Sequence, residues 1–201
     1  MKNIFKNAVL FIGLSIALSS FLACSKMATT EKEQVDKSAP SSSENGSSDT
    51  KKNDFPPAPV AVSQAEIKNI DGGTFKVEDK KGKVLLLNLW ATWCGPCRAE
   101  MPELVELQNK YRDKDFEIIG LNTDDESVEK IKDFADDMKL NYTLAYADGK
   151  LMNELLKISK FSGIPQSYLI DRDGKLRGVF TGGGPKVVNQ LKDVAEKVVN
   201  E

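Results

Sequence analysis

Val84-Leu85-Leu86-Leu87-Asn88-Leu89-Trp90 runs apolar at every position but Asn88, and two residues later comes Trp93-Cys94-Gly95-Pro96-Cys97. A continuous apolar run of this length is expected of a central strand covered on both faces. The residues from about Cys94 to Tyr111 read as a helix, and Phe116 to Leu121 as a second buried strand. Strand, helix and strand make a βαβ unit with a right-handed crossover. A Cys-x-x-Cys sequence where a buried strand turns into a helix has the context of a redox pair, and its spacing lets one helical turn bring the sulfurs into bonding range. Cys94 would stand at the helix N-terminus, where unpaired N–H groups and the macrodipole favour an anion. Its thiolate is the expected nucleophile. Cys97, one turn further in, is the expected resolving thiol, which breaks the mixed disulfide that Cys94 forms with a substrate.

Composition narrows the alternatives. The chain has 201 residues, no histidine, and only Cys24 besides the pair. Ser-His and Cys-His nucleophilic pairs and histidine metal ligands are therefore ruled out. A zinc half-site at Cys94 and Cys97 would need two further Cys or His ligands that the chain cannot supply, so no metal is expected. A purely structural disulfide remains an alternative for an exported protein, but so small a loop gains little from closure. The net charge of −2, with both signs interspersed, suggests no nucleic-acid partner.

The N-terminus reads as an address. Met1 to Ala23 carries Lys2 and Lys6 and then an apolar run from Ala8 to Leu22. This is the layout of a secretory signal peptide, with an apolar part short of the about 20 residues a spanning helix needs. Residues 24–59 are poor in large apolar side chains and rich in Ser, Lys, Glu, Asp and Thr, the composition of a disordered linker. As a coil of about 35 residues it would reach on the order of 30 Å.

One folded domain is expected over residues 60–201. Ser63–Ile70 and Thr74–Val77 flank Asp71-Gly72-Gly73 as an N-terminal hairpin. Val128, Ile131, Phe134 and Met138 recur at helical spacing, Tyr142–Ala147 suits a short strand, and Leu151, Met152, Leu155 and Leu156 mark another helix. Ser167–Ile170 and Leu176–Thr181 flank Asp171-Arg172-Asp173-Gly174 as a second hairpin. Pro185 opens a last amphipathic helix through Val198. The fold class is α/β, a central mixed β-sheet flanked by helices with a central helix-strand insertion.

Trp90-Ala91-Thr92-Trp93-Cys94-Gly95-Pro96-Cys97-Arg98 resembles the active site of the thioredoxin superfamily, and the likeness continues through Gly163-Ile164-Pro165-Gln166-Ser167-Tyr168-Leu169-Ile170-Asp171 and Asp173-Gly174-Lys175. The resemblance implies a thioredoxin-like fold. It implies that Pro165 is cis and faces the disulfide, that Ile164 and Pro165 form a substrate platform, and that Trp93 flanks the nucleophile and contacts substrate. Asn88 stands where cytoplasmic thioredoxins carry a buried aspartate, and Glu100 lies three residues after Cys97 on the same helix face. That combination is similar to extracytoplasmic TlpA/ResA-type proteins, several of which serve cytochrome c maturation. Glu100 is accordingly expected to be partly buried, with a raised pKa, and to manage the proton of Cys97; an ordinary acidic residue of a first helical turn is the alternative. Phe21-Leu22-Ala23-Cys24 resembles the lipobox of bacterial lipoproteins, which makes Cys24 the expected lipidation site and membrane anchor. An ordinary cleaved signal with an incidental cysteine is the other reading of that segment.

The implied activity is thiol-disulfide oxidoreduction outside the cytoplasm by a monomer, in the periplasm or at the outer face of the cell membrane. The redox-active pair needs no cofactor. Expected partners are a protein thiol or disulfide substrate, with apocytochrome c one possibility, and a membrane thiol electron donor. Gly95-Pro96 matches reducing thioredoxins, whose potential is about −270 mV against about −120 mV for the oxidant DsbA. That favours a reductase over a disulfide oxidase or isomerase. A redox-sensing lipoprotein adaptor is a reading from a different class. A thiol peroxidase would call for a separate upstream cysteine, which the domain lacks.

Overall fold

The structure is a computed structural model that describes residues 55–201. The expected signal segment, Cys24 and the linker up to residue 54 lie outside the described residues. Five strands form the main sheet in the order β5-β4-β3-β6-β7. The central strand β3 (Val84–Trp90) pairs in parallel with β4 (Phe116–Asn122), which pairs in parallel with β5 (Thr143–Tyr146). On its other side β3 is antiparallel to β6 (Gln166–Ile170), and β6 is antiparallel to β7 (Leu176–Thr181). Helices α2 (Gly95–Tyr111) and α3 (Val128–Met138) make the crossovers between the parallel strands, α4 (Gly149–Ser159) leads from β5 into β6, and α5 (Pro185–Val199) closes the chain. This is the mixed sheet flanked by helices that the apolar runs imply, and the thioredoxin-like fold that the resemblance implies.

Every residue of β3 is buried, and the alternation of side chains explains why no polar residue interrupts it but Asn88. Leu85, Leu87 and Leu89 join a core with Ile119, Leu121, Leu151 and Leu155, on the side covered by α4. Val84 and Leu86 point the other way, into a core with Leu104, Leu107, Leu191 and Ala195 of α2 and α5. Each such leucine contributes about 1.5–3 kcal/mol relative to exposure, so the strand has no face on which a charge is tolerable. In the same row as Asn88 the neighbouring strands place Ser167 and Gly120, with Leu144 next to Gly120. This row of mostly small or polar residues lies under the start of α2.

Two local expectations shift. The first hairpin is shorter: α1 (Val60–Ser63) takes up its beginning, and only β1 (Ile67–Lys68) and β2 (Thr74–Phe75) pair. The Ile70 N–H leaves the hairpin and donates to the Leu144 carbonyl at the edge of β5 (3.1 Å), so the sheet edge captures what a periodicity argument assigns to the hairpin. The second shift is at the N-terminal boundary. Within the expected linker, Ala58 N–H donates to Gly174 O and Leu176 N–H donates to Pro56 O, each at 2.9 Å, and the Phe55 ring lies under Arg177. Prolines suit such an edge segment because their carbonyls accept while their missing N–H groups are not needed.

Candidate active site

The end of β3 delivers Cys94 to the start of α2. Cys94 caps that helix: its Sγ accepts the Cys97 N–H at 3.2 Å, and its own N–H is held by the Ala91 carbonyl at 3.1 Å. Cys94 and Cys97 form a disulfide. Cys94 keeps 3% of its surface exposed and Cys97 none, so an incoming group meets Cys94 first. The Cys97 N–H of the first turn points at its sulfur, and the helix start adds its positive field, the setting that stabilises a thiolate once the bond is reduced.

Three segments meet here, the first being the turn from β3 into α2 that carries the pair and the second the turn before β6. The Ile164–Pro165 peptide bond is cis, and the Ile164 carbonyl oxygen lies 3.9 Å from Cys94 Sγ. Gln166 supports that turn from below by donating to the Phe161 carbonyl at 2.9 Å and the Gly163 carbonyl at 2.5 Å, and its own Oε1 accepts the Tyr168 hydroxyl at 2.6 Å. The third segment, Gly182-Gly183-Gly184, is one that sequence reasoning passed over. Gly182 N–H donates to the Pro165 carbonyl at 2.9 Å, and a Cβ on Gly183 would stand 2.8 Å from Pro96 Cβ. A glycine run directly after a strand at the end of the sheet where the pair lies was the available signal. Gly183→Ala is expected to cost about 1 kcal/mol, because the exposed loop can retreat from the rigid Pro96 ring. It should also slow exchange with protein disulfides, measurable by urea unfolding beside a reporter assay.

Beneath the disulfide sits Glu100, 5% exposed. Burial pushes its carboxyl up to about 7, against the opposing hydrogen bond from Asn88 Nδ2 (2.9 Å). The same amide also donates to Ser167 Oγ at 3.0 Å. Asn88 therefore ties β3, α2 and β6 together with a neutral group. Ser167 was not singled out from sequence, since a serine at a strand start carries no pattern.

Trp93 is 66% exposed beside Cys94, and its indole N–H donates to the Asp124 carboxylate. Trp90 is fully buried and stacks on Phe134 at 5.2 Å. The loop between β4 and α3 grips the turn before the nucleophile. Glu126 accepts from the Thr92 hydroxyl, from Asn122 Nδ2 at 2.8 Å and from Lys130 Nζ at 2.5 Å. Burial opposes ionisation of Glu126, but these donors hold its carboxyl below the usual range. Acidic residues in a loop are normally solvated, so nothing in their sequence distinguished Asp124 and Glu126.

Residues 59–179 match the AhpC/TSA family. Among curated relatives, the thiol-disulfide oxidoreductase ResA of Bacillus thuringiensis subsp. konkukian is 35% identical over 132 residues, which is 66% of this chain and 73% of that protein. The thioredoxin-like protein YneN of Bacillus subtilis is 33% identical over 118 residues, 58% of this chain and 66% of that protein. A solved structure of a putative thiol:disulfide interchange protein DsbE from Chlorobium tepidum superposes with a TM-score of 0.60 at 28% identity, covering 72% of this chain and 96% of that one. With the disulfide at a helix start, the cis-proline turn beside it and these likenesses, the chain belongs to the AhpC/TSA family and is a thiol-disulfide oxidoreductase of the ResA/DsbE type.

Proposed function

We propose that the protein reduces protein disulfides outside the cytoplasm, tethered to a membrane through a lipid on Cys24. The observation that carries the exchange chemistry is the Ile164 carbonyl set 3.9 Å from Cys94 Sγ beside the cis-proline turn. A backbone acceptor there, with Trp93 exposed alongside, lets an extended substrate segment pair with the turn while its sulfur approaches Cys94. The Cys94 thiolate attacks one substrate sulfur and the other leaves as a thiolate. Cys97 then attacks Cys94 Sγ, forming the intramolecular disulfide and releasing the second substrate thiol. Two electrons pass to the substrate, and the two leaving sulfurs end protonated. Glu100 is the proton acceptor for Cys97, since a buried carboxyl near 7 is matched to that exchange at neutral pH. Gly95 and Pro96 tune the potential. No metal or cofactor enters the cycle.

Within the folded domain, chain entry and disulfide are well separated. Pro56 pairs with Leu176, near the start of β3, whereas Cys94 follows the end of β3. The seven residues of β3 separate the two ends by about 20 Å. In the folded domain the disulfide thus lies at the other end of β3 from the point where the chain enters at Pro56. The partners proposed for this monomer are apocytochrome c or another thiol protein and the thiol of a membrane electron donor.

The test is the equilibrium reduction potential of Cys94–Cys97 in a glutathione or dithiothreitol series. A value near about −270 mV supports the reductase. A value near about −120 mV reverses the direction to oxidase or isomerase. The absence of a reversible two-electron couple would leave the redox-sensing adaptor as the better reading.

A further inference from the structure

Glu100 is enclosed, yet a proton acceptor must return its proton to water once per cycle. It has no cation hydrogen-bonded to it among the described residues; Asn88 on β3 donates to it, Tyr142 ahead of β5 feels its charge, and Cys97 lies three residues before it on its own helix. Three polar atoms around this point are buried without a protein partner: Asn88 Oδ1, Trp90 Nε1 and the Tyr142 hydroxyl. Such atoms are costly unless a water satisfies them. They are also neighbours. Gly120 stands beside Asn88 in the sheet, and a Cβ on it would lie 3.0 Å from Trp90 Nε1 and 3.1 Å from Tyr142 Cε2. The missing side chain at Gly120 is what lets the phenol reach in over the sheet. Burial pushes the phenol up, and the charge of Glu100 adds to that effect, so the two groups sense each other.

On its outer side Tyr142 lines a surface cleft of 340 Å³ with Asn69, Lys132, Asp136 and Thr143. Its charged groups are Asp71, Lys132 and Asp136, with Lys132 bound to Asp71 at 3.1 Å. Tyr142 and Leu144 are therefore common to the outer cleft and the buried row beside Asn88 and Gly120, and of the two Tyr142 carries the polar group.

We propose that Tyr142 is a positioning residue for Glu100, its hydroxyl helping to hold a buried water that hydrogen-bonds the carboxylate and carries its proton out toward this cleft. The donor and acceptor count closes. The water accepts from the Trp90 N–H and the Tyr142 O–H, and donates to Asn88 Oδ1 and to Glu100. When Cys97 loses its proton to Glu100, the protonated carboxyl turns from acceptor to donor toward the water. The Tyr142 hydroxyl rotates to accept from that water and to donate outward to solvent in the cleft. One proton then passes from carboxyl to water to phenol to cleft solvent, and the carboxylate is regenerated. This deepens the reading of Glu100 given above and rests on it.

The experiment follows the side-chain carboxyl carbon of Glu100 by NMR in the oxidised full chain from pH 4 to pH 10, its signal assigned by loss in Glu100→Gln. Tyr142→Phe removes one hydroxyl that favours the anion, so the Glu100 midpoint should rise by about one unit. Release of the second thiol from a disulfide-bridged reporter peptide should slow several-fold at pH 7 but not at pH 9, where the Glu100 carboxyl is largely ionised in parent and variant alike. Gly120→Ala keeps the hydroxyl but crowds Leu144, Trp90 Nε1 and the Tyr142 ring together, filling the space the water would take, and should raise the midpoint in the same direction. An unchanged midpoint in Tyr142→Phe overturns the proposal, whatever Gly120→Ala does. If Glu100→Gln leaves the thiol-release rate unchanged, the proton role of Glu100 fails instead, and the midpoint comparison still reports whether Tyr142 touches it.

Discussion

Cys97→Ser is expected to halt the protein after a single exchange, with substrate trapped on Cys94. The reduced variant keeps the nucleophile at the start of α2, where Cys94 caps the helix and its sulfur receives the Cys97 N–H. A serine retains that backbone donor, so the environment that stabilises the thiolate persists. What disappears is the second sulfur, which is fully buried and bonded to Cys94 in the oxidised protein. Attack on a reporter disulfide then yields a mixed disulfide that cannot resolve internally, visible as an adduct by mass spectrometry and removed by dithiothreitol. Turnover should fall by at least about 1000-fold, since resolution by an outside thiol forfeits the advantage of a held neighbour. Cys94→Ser should abolish adduct formation altogether. An adduct on Cys97 in that variant would reverse the two roles, and equal adduct formation in both would deny the helix start any part in selecting the nucleophile.

The second large effect is one of stability and pH. Glu100 has an unfolded value of 4.5 and a folded value near 7, raised chiefly by burial. Below pH 4.5 the carboxyl is protonated in both states and costs nothing electrostatic. As pH rises from 4.5 to 7 the unfolded chain releases the proton while the folded chain keeps it, so stability falls; above 7 the folded chain carries a buried anion. A shift of about 2.5 units corresponds to about 3 kcal/mol at its limit. Glu100→Gln keeps an oxygen to accept from Asn88 and removes the charge. It should leave stability at pH 4.5 within about 0.5 kcal/mol of the parent and raise it by up to about 3 kcal/mol at pH 8.5. Urea unfolding at the two pH values reads this directly. A gain of the same size at both would mean that the effect is one of packing, not of ionisation. A more stable variant with slower thiol release is the pattern expected where a strained group is kept for function.

How far the sequence carries differs from element to element, for reasons that can be named. Val84–Trp90 is legible because burial on both faces leaves no latitude for polar residues, and the observed strand begins and ends at those residues. The helix after Cys94 is legible because proline suits the first turn of a helix, and α5 begins at Pro185 on the same principle. Residues 55–58 are not legible as part of the fold. Their pairing with Gly174 and Leu176 uses backbone groups, which have no side-chain signature. The hairpin before β3 is misjudged in length because Ile70 suits either the hairpin or the edge of β5, and the competition is decided by a partner more than 70 residues away.

At the site the division follows the same line. Cys94, Cys97 and Pro165 declare themselves through local chemistry: a thiol pair one turn apart at a helix start, and a proline before a strand. Composition alone removed histidine-based catalysis. Only the folded chain decided that Glu100 would be buried against a neutral amide, that Ser167, Asn88 and Gly120 would share one row across three strands, that Gly183 would abut Pro96, and that Glu126 would hold Thr92. Each of these depends on residues distant in sequence brought within a few ångströms. Local spacing encodes which atoms can react, whereas burial, strand register and shared hydrogen bonds, which set how readily they do so, exist only after the sheet has formed.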